Sequence, residues 1–594
     1  MLKRNKKDDS EDAKEKTNIE AKSETQSNGK ETDVDSENSK SQPGDDAKAE
    51  PSEKFSADEQ KATSDRTSDS QPTDEHKIKQ DSDTESLNVE DLSIDENAEK
   101  KTTLQNEGVY YIDDVVNKAG YGRFQKLVTF LAGVGWFADA FEVIILSFIG
   151  DFLTCEWTLY RWQNAMLTSI VFLGMMVGAP CFGMIADVKG RKMSLIVSFS
   201  ILFPFGAGCA LAQNFLTILI LRGIMGFALG GVAQGVTLCC EYYPAADRGI
   251  AGFYLSYYWA AGTIILILGT WGIMEGLDNW RWLLFSTSLS SLTVLLLIRW
   301  LPESARYYLV SQQPEKAVRQ LEELARLNKV EMPKGDLKLP EEDEARGRLW
   351  DLLKPEHRVS TLLMWYLWFS LAFSYYAFAL IAPIIIKNGK LRVPKAKAME
   401  AFKVNNTSNF LGAVIPCKKF TRRQYVDLLW TSAAEFPGLL VFTFLVKVLN
   451  RKTLLAGSCL LTTFINFLLL VDTDYHMVSN VLLFLGRANL VAVFQLIFIM
   501  TTEAFPTTLR AIAMGSGSSL ARFGGAIVPF AAQLLVISHP VTTVCIVGLV
   551  IFLAALAAAL LPRETKDRNL KELSEHFAEN SVEDIGQKRG EKVA

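Results

Sequence analysis

Apolar runs of about twenty residues recur along the chain, separated mostly by short polar stretches. A run of that length is what a helix needs to cross a hydrocarbon core about 30 Å thick. The pattern predicts twelve membrane helices, at 127–150, 163–186, 193–212, 215–240, 249–274, 281–301, 360–386, 428–449, 453–472, 478–504, 511–537 and 541–561. Six precede a longer polar segment at 302–359 and six follow it. The expected fold is therefore an all-α membrane protein with two six-helix repeats, at 127–301 and 360–561. Small residues crowd several runs, as in 223–235 and 511–526, and let helices approach closely in lipid. Two shorter amphipathic helices are also expected. One lies within 108–126 before the first span, with Ile112, Val115, Val116 and Ala119 on one side and Gly120 and Gly122 ending it. The other is 314–329, with Pro314 near its start and Ala317, Val318, Leu321, Leu324 and Ala325 on one face.

Charge divides the chain differently. Of its 594 residues, the first 100 hold 16 Lys/Arg and 29 Asp/Glu, and Phe55 is their only aromatic residue. Such a segment has too little apolar surface to offset the entropy of ordering, so 1–107 is expected to be a disordered, acidic cytoplasmic tail. Its opening, MLKRNKKDDS, leads into no apolar stretch, and no cleavable signal peptide is expected. Between spans, Lys189, Arg191, Lys192, Arg248, Lys447, Arg451, Lys452 and Arg510 fall in loops on one side, with both termini and the 562–594 tail. That side should be the cytoplasm. Residues 387–426 are an exception, with ten Lys/Arg on the expected outer side. They also contain overlapping glycosylation sequons at Asn405 and Asn406, which fit an outer loop.

The halves share more than helix count. Glu241-x-Tyr243-Pro244-x-x-x-Arg248 recurs as Glu503-x-Phe505-Pro506-x-x-x-Arg510. Gly190-Arg191-Lys192 recurs as Asn450-Arg451-Lys452, and Arg222 as Arg487, at nearly the same offset. Parallel repeats of this kind place substrate between the halves near mid-membrane.

Ionisable residues inside spans are costly there and point to function. Asp139 and Glu142 share a face of the first span, and Arg222 in the fourth is their expected cation. A carboxylate that pairs in one state and takes a proton in another would couple protons to transport, so Asp139, Glu142 and Arg222 are the proton-coupling candidates. A fixed structural ion pair is the alternative. Glu435, Arg487, Arg522, Tyr375 and Tyr376 are the substrate-contact candidates, with Arg487 or Arg522 equally able to neutralise Glu435. Asp187, Arg191, Glu241 and Arg248 are expected to form a cytoplasmic latch, with Glu503, Arg510 and Arg451 as a weaker counterpart. Cys155 and Cys417 both fall on the outer side, one per half. Whether they pair stays open, because a bond there would restrict rocking.

The resemblance follows from these motifs. Residues 183–192 (GMIADVKGRK), Arg222-Gly223, Pro302-Glu303-Ser304-Ala305-Arg306 and Pro562-Arg563-Glu564-Thr565-Lys566 resemble signatures of the major facilitator superfamily and its sugar porters. The motifs 136–147 (WFADAFEVIILS), 427–438 (DLLWTSAAEFPG) and 519–530 (SLARFGGAIVPF) are similar to the synaptic vesicle 2-related family. The resemblance implies a major facilitator fold. It also implies a secondary transporter that moves a small organic, charged solute by alternating access, with proton coupling at Asp139 and Arg222. The expected place is a synaptic-type vesicle membrane or the plasma membrane. The expected partners are lipid, an organic ion and protons, with no nucleic acid and no cofactor. The rival is a vesicle membrane protein that no longer transports and has a regulatory or trafficking role. An enzyme is not expected, since no metal-ligand cluster, nucleophile elbow or phosphate loop stands out.

Overall fold

The computed structural model describes residues 108–244, 247–338, 348–388, 391, 417, 419–471, 476–562 and 564, all within one compact unit. The acidic tail, most of the basic 387–426 loop with Asn405 and Asn406, and the residues beyond 564 lie outside the described residues.

Among the described residues, twelve long helices follow one another. The first span runs Arg123–Ile144 and, after a break at Ile145, Leu146–Trp157. Arg161–Lys189, Arg191–Ala210, Phe215–Glu241, Ile250–Gly276 and Trp280–Trp300 complete the first half. The second half consists of Arg358–Asn388, Arg422–Val448, Arg451–Leu468, His476–Ala504, Thr507–Pro529 and Pro540–Ala559. Among the described residues, ten of the twelve are long and apolar enough to cross a membrane. The ninth and eleventh spans are more polar. The ninth opens on Arg451-Lys452, and the eleventh carries Ser516, Ser518, Ser519 and Arg522. All four of those eleventh-span residues line an internal cavity, so the polarity of that helix faces away from lipid. The eleventh helix also widens into a π-helical stretch, Phe530–Leu535, directly after Pro529.

Within each half, close packing rests on missing side chains. The second and fourth spans cross at Gly178 and Gly226, where an added Cβ would strike the Phe227 and Val171 carbonyls. Gly438 of the eighth span meets the Ala488 carbonyl of the tenth in the corresponding place. Without a hydrophobic driving force between helices in lipid, such backbone approach supplies the packing. The halves meet along two seams, second span on eleventh and fifth on eighth.

The segment after the sixth span folds against the start of the first. A parallel two-strand pair joins Gly108–Tyr110 to Gly335–Leu337. Helix Ile112–Ala119 buries Ile112, Val115 and Val116, and helix Pro314–Asn328 buries Ala317, Leu321, Leu324 and Ala325. The Asn328 side chain accepts from the Phe124 amide at 2.9 Å and donates to Gln125 Oε1 at 2.7 Å. The face of the bundle holding this segment is called the central-loop side below.

A glutamate caps the equivalent helix in each half. Glu303 accepts the amides of Arg191 (2.9 Å) and Lys192 (3.1 Å) at the start of the third span, and that of Ser304 (2.9 Å). Glu564 accepts those of Arg451 (2.8 Å) and Lys452 (3.2 Å) at the start of the ninth. A carboxylate there satisfies orphan N–H groups and meets the positive end of the helix dipole. Burial pushes the Glu303 carboxyl up, opposed by the Ser304, Lys192 and Arg191 amides and the Arg191 charge. Glu303→Ala is expected to lower stability by about 1–2 kcal/mol, read as a fall in the thermal unfolding midpoint of the purified protein.

Candidate functional site

A cavity of about 1520 Å³ lies between the halves. It runs from the helix ends on the central-loop side, at Arg191, Arg248, Arg306, Lys447, Arg451 and Arg510, to mid-helix residues Trp136, Asp139, Tyr375, Tyr376 and Arg522. The helix ends of the opposite side, such as Asp151, Asp278 and Arg422, do not border it. The structure is thus open on one side and closed on the other.

Both acids of the first span are buried, but they have different partners. Glu142 pairs with Arg222 at 3.3 Å, each side chain 1% exposed. Asp139 does not join them. It lines the cavity, and among the described residues its Oδ1 has no hydrogen-bond partner and the cation within its electrostatic range is Arg522 of the other half. The expected Asp139/Arg222 pair is therefore corrected to Glu142/Arg222. Helix geometry gives the reason: residues three apart sit about 60° from each other, close enough to share a face but far enough to aim at different neighbours.

The second-half candidates separate in the same way. Tyr375, Tyr376 and Arg522 line the cavity, whereas Glu435 and Arg487 lie behind its wall. Arg487 Nη2 donates to Glu435 Oε1 at 2.7 Å, with Glu435 fully buried. Tyr375 donates its hydroxyl hydrogen to the same oxygen at 3.1 Å and accepts one from Trp259 Nε1 at 2.8 Å. Trp259 belongs to the fifth span, so this chain of bonds connects the halves beside the cavity. Arg522 donates to the Ser518 carbonyl at 3.0 Å and to its hydroxyl, while Nε has no hydrogen-bond partner among the described residues.

The expected latch is two separate arrangements on the central-loop side. Arg191 pairs with Asp187 (3.1 Å) and Glu241 (3.3 Å), all within the first half. Arg451 pairs with Glu503 at 3.5 Å within the second. Arg248 belongs to neither. It pairs with Asp113 of the short helix before the first span, as does Arg306, both at 2.5 Å. Burial pushes the Asp113 carboxyl up, but Arg306 and Arg248 outweigh it and hold it below the usual range. Arg510 has Arg248 and Arg306 in electrostatic range, and its Nε and Nη2 have no hydrogen-bond partner among the described residues. With the cavity open here, the rim charges of the two halves stand apart, so the network does not close into one. Sequence reasoning missed Asp113, because nothing local to it signals partners so far along the chain.

The opposite side is held shut by contacts between the halves. Lys387 pairs with Asp151 at 2.6 Å, and Lys419 with Asp278 and Arg422 with Glu275 at shorter range. Trp271 stacks on Tyr425 with centroids 6.0 Å apart. Cys155 and Cys417 form a disulfide, Cα to Cα 4.7 Å, which answers the pairing left open above. It joins the end of the first span's helix to the segment leading into the eighth. A protease site inserted at 339–347 therefore cuts the chain into pieces that stay together on a non-reducing gel and separate with reductant. Separation of the Cys155→Ser variant alone without reductant is the expected result, and separation of the parent protein without reductant would contradict the bond.

The comparisons agree with this architecture. Residues 136–577 match the family model described as sugar (and other) transporter. A synaptic vesicle 2-related protein of Bos taurus is 37% identical over 490 residues, covering 82% of this chain and 87% of its own. Organic cation/carnitine transporter 7 of Arabidopsis thaliana is 32% identical over 502 residues, covering 78% and 96%. The inward-open xylose transporter XylE of E. coli superposes with a TM-score of 0.55 at 15% identity, over 76% of this chain and 99% of that one. Such distant likeness in structure shows the shared fold, and the family model and sequence relatives supply the rest. This multi-pass membrane protein is a secondary transporter of the major facilitator superfamily, and the chain belongs to its sugar (and other) transporter family.

Proposed function

We propose that this transporter moves a small charged organic solute by alternating access and couples it to protons through Asp139. The carrying observation is Asp139 itself. It is an acid deep in the cavity, 9% exposed, with an oxygen that no group among the described residues satisfies. A carboxylate so placed exchanges proton, solute cation and the distant Arg522 as partners, while the paired Glu142 and Glu435 have theirs fixed. The aromatic walls, including Trp136, Trp259 and Phe494, suit an organic body and a cationic group. The relative named for organic cations and carnitine supports a charged solute. The relatives named for synaptic vesicles support a vesicle membrane. The basic short loops support a cytoplasmic placement of the central-loop side and both termini.

Alternating access follows from the repeats. Rocking of one half on the other along the second–eleventh and fifth–eighth seams opens one side as it closes the other. In the structure the side to be opened next is closed by ion pairs, stacking and the disulfide.

The disulfide favours a second reading, a protein that keeps the fold but no longer completes the cycle. Counterflow separates the two. Liposomes preloaded with a panel of unlabelled organic ions are expected to take up a labelled one transiently, with and without reductant. Absence of counterflow for the whole panel, also in the Cys155→Ser/Cys417→Ser double variant, would favour the non-transporting reading.

A further inference from the structure

Among the described residues, the cavity's mid-depth charges are one acid and one base, on opposite halves. Asp139 comes from the first span and Arg522 from the eleventh, and both line the same cavity. Each retains a buried polar atom without a hydrogen-bond partner among the described residues, Asp139 Oδ1 and Arg522 Nε. Each lies in the other's electrostatic range, with Tyr376 in range of both. The remaining charges at this depth are already matched within their own halves, Glu142 by Arg222 and Glu435 by Arg487.

We propose that the solute is a zwitterion, its ammonium group seated on Asp139 and its anionic group on Arg522, so that one molecule bridges the two halves. This rests on the transport reading above and adds the substrate's charge pattern. A buried charge left without a partner is strongly unfavourable. A solute bearing only a cation leaves Arg522 facing it without a counter-charge. One bearing only an anion does the same to Asp139. A neutral polyol offers hydrogen bonds but no charge to either. The zwitterion satisfies both groups, and it does so across the boundary along which the halves must move. Its contacts strengthen as the halves close over it, which is the differential binding that a conformational change requires. The apolar stem between the two charges faces aromatic walls such as Trp136 and Trp259.

The test uses the purified full-length protein and equilibrium binding. The probes are ω-amino carboxylates of about four to eight carbons, their methyl esters, which keep only the cation, and the matching alkanoates, which keep only the anion. The expected result is that at least one amino carboxylate binds about tenfold or more tightly than both its ester and its alkanoate. Asp139→Asn then removes its advantage over the alkanoate, and Arg522→Gln its advantage over the ester. Arg522→Lys, which keeps the charge, restores part of the latter and guards against a misfolded variant. An ester or alkanoate that binds as well as the amino carboxylate overturns the proposal, as does failure of the whole series to bind. Counterflow of an ion with a single charge would overturn it too, while leaving the transport reading intact.

Discussion

Asp139→Asn is expected to reduce pH-gradient-driven uptake in proteoliposomes by roughly 10- to 100-fold, with a thermal unfolding midpoint within a few degrees of the parent protein. The size follows from losing one charge-assisted contact, worth about 1.5–3 kcal/mol, at about 1.4 kcal/mol per factor of ten. The unchanged stability follows from the geometry. Asp139 Oδ1 has no hydrogen-bond partner and Asp139 is in no ion pair at bonding distance among the described residues, so an amide of the same shape breaks no direct bond and removes only the longer-range field on Arg522. Glu142→Gln is the control. It leaves Arg222 as an uncompensated buried charge, and the protein loses stability before any change in coupling is legible. A variant pattern with the roles exchanged, Asp139→Asn unstable and Glu142→Gln stable but uncoupled, would contradict the assignment.

Breaking the Glu435–Arg487 pair is expected to have the largest effect on stability. Glu435→Ala leaves a fully desolvated guanidinium behind the cavity wall and removes the acceptor of the Tyr375 hydroxyl. Losing one partner of a buried ion pair costs about 3–5 kcal/mol. That is a large share of the marginal stability of a folded chain, so the variant should unfold well below the parent's midpoint or fail to accumulate. The double variant Glu435→Gln/Arg487→Met removes both charges and is expected to recover most of the loss, because no charge is then left unpaired. Equal instability of the single and double variants would show that packing, not charge, holds this region. The Trp259–Tyr375 bond gives a second readout: loss of the Glu435 acceptor frees the tyrosine next to the cavity and should change Trp fluorescence.

Helix number and order were legible from apolar runs because lipid imposes one length on every span. The two more polar spans, Arg451–Leu468 and Thr507–Pro529, are also read from their apolar runs, and the repeat agrees with them, since Arg451-Lys452 echoes Arg191-Lys192 and Arg510 echoes Arg248. The site was legible as a set of residues but not as a set of pairs. Local spacing puts Asp139 and Glu142 on one helix face. The crossing of the fourth span and the approach of the eleventh decide which of them meets Arg222 and which faces Arg522. The same limit hid Asp113, more than a hundred residues from Arg248 and nearly two hundred from Arg306. The glutamates of the motifs Pro302-Glu303-Ser304 and Pro562-Arg563-Glu564 stood out as signatures. Their work, capping the third and ninth helices, appears only when the end of each half folds back onto it.

Open on the central-loop side and closed opposite, the structure represents one end of a cycle. Its closed face combines separable ion pairs with a covalent bond, and Phe420 packs against Phe148 and Phe152 just after Cys417. Cys417, Lys419 and Phe420 therefore contact the first half while the helix from Arg422 belongs to the second. Opening of this closed face must draw on the short stretch between them.

The most direct measurement is uptake of labelled organic ions into liposomes containing the purified protein, with a pH gradient imposed across the membrane. The account predicts accumulation of solute above equilibrium that collapses when a protonophore dissipates the gradient. Uptake that only equilibrates, indifferent to the size and direction of the gradient, would contradict proton coupling at Asp139.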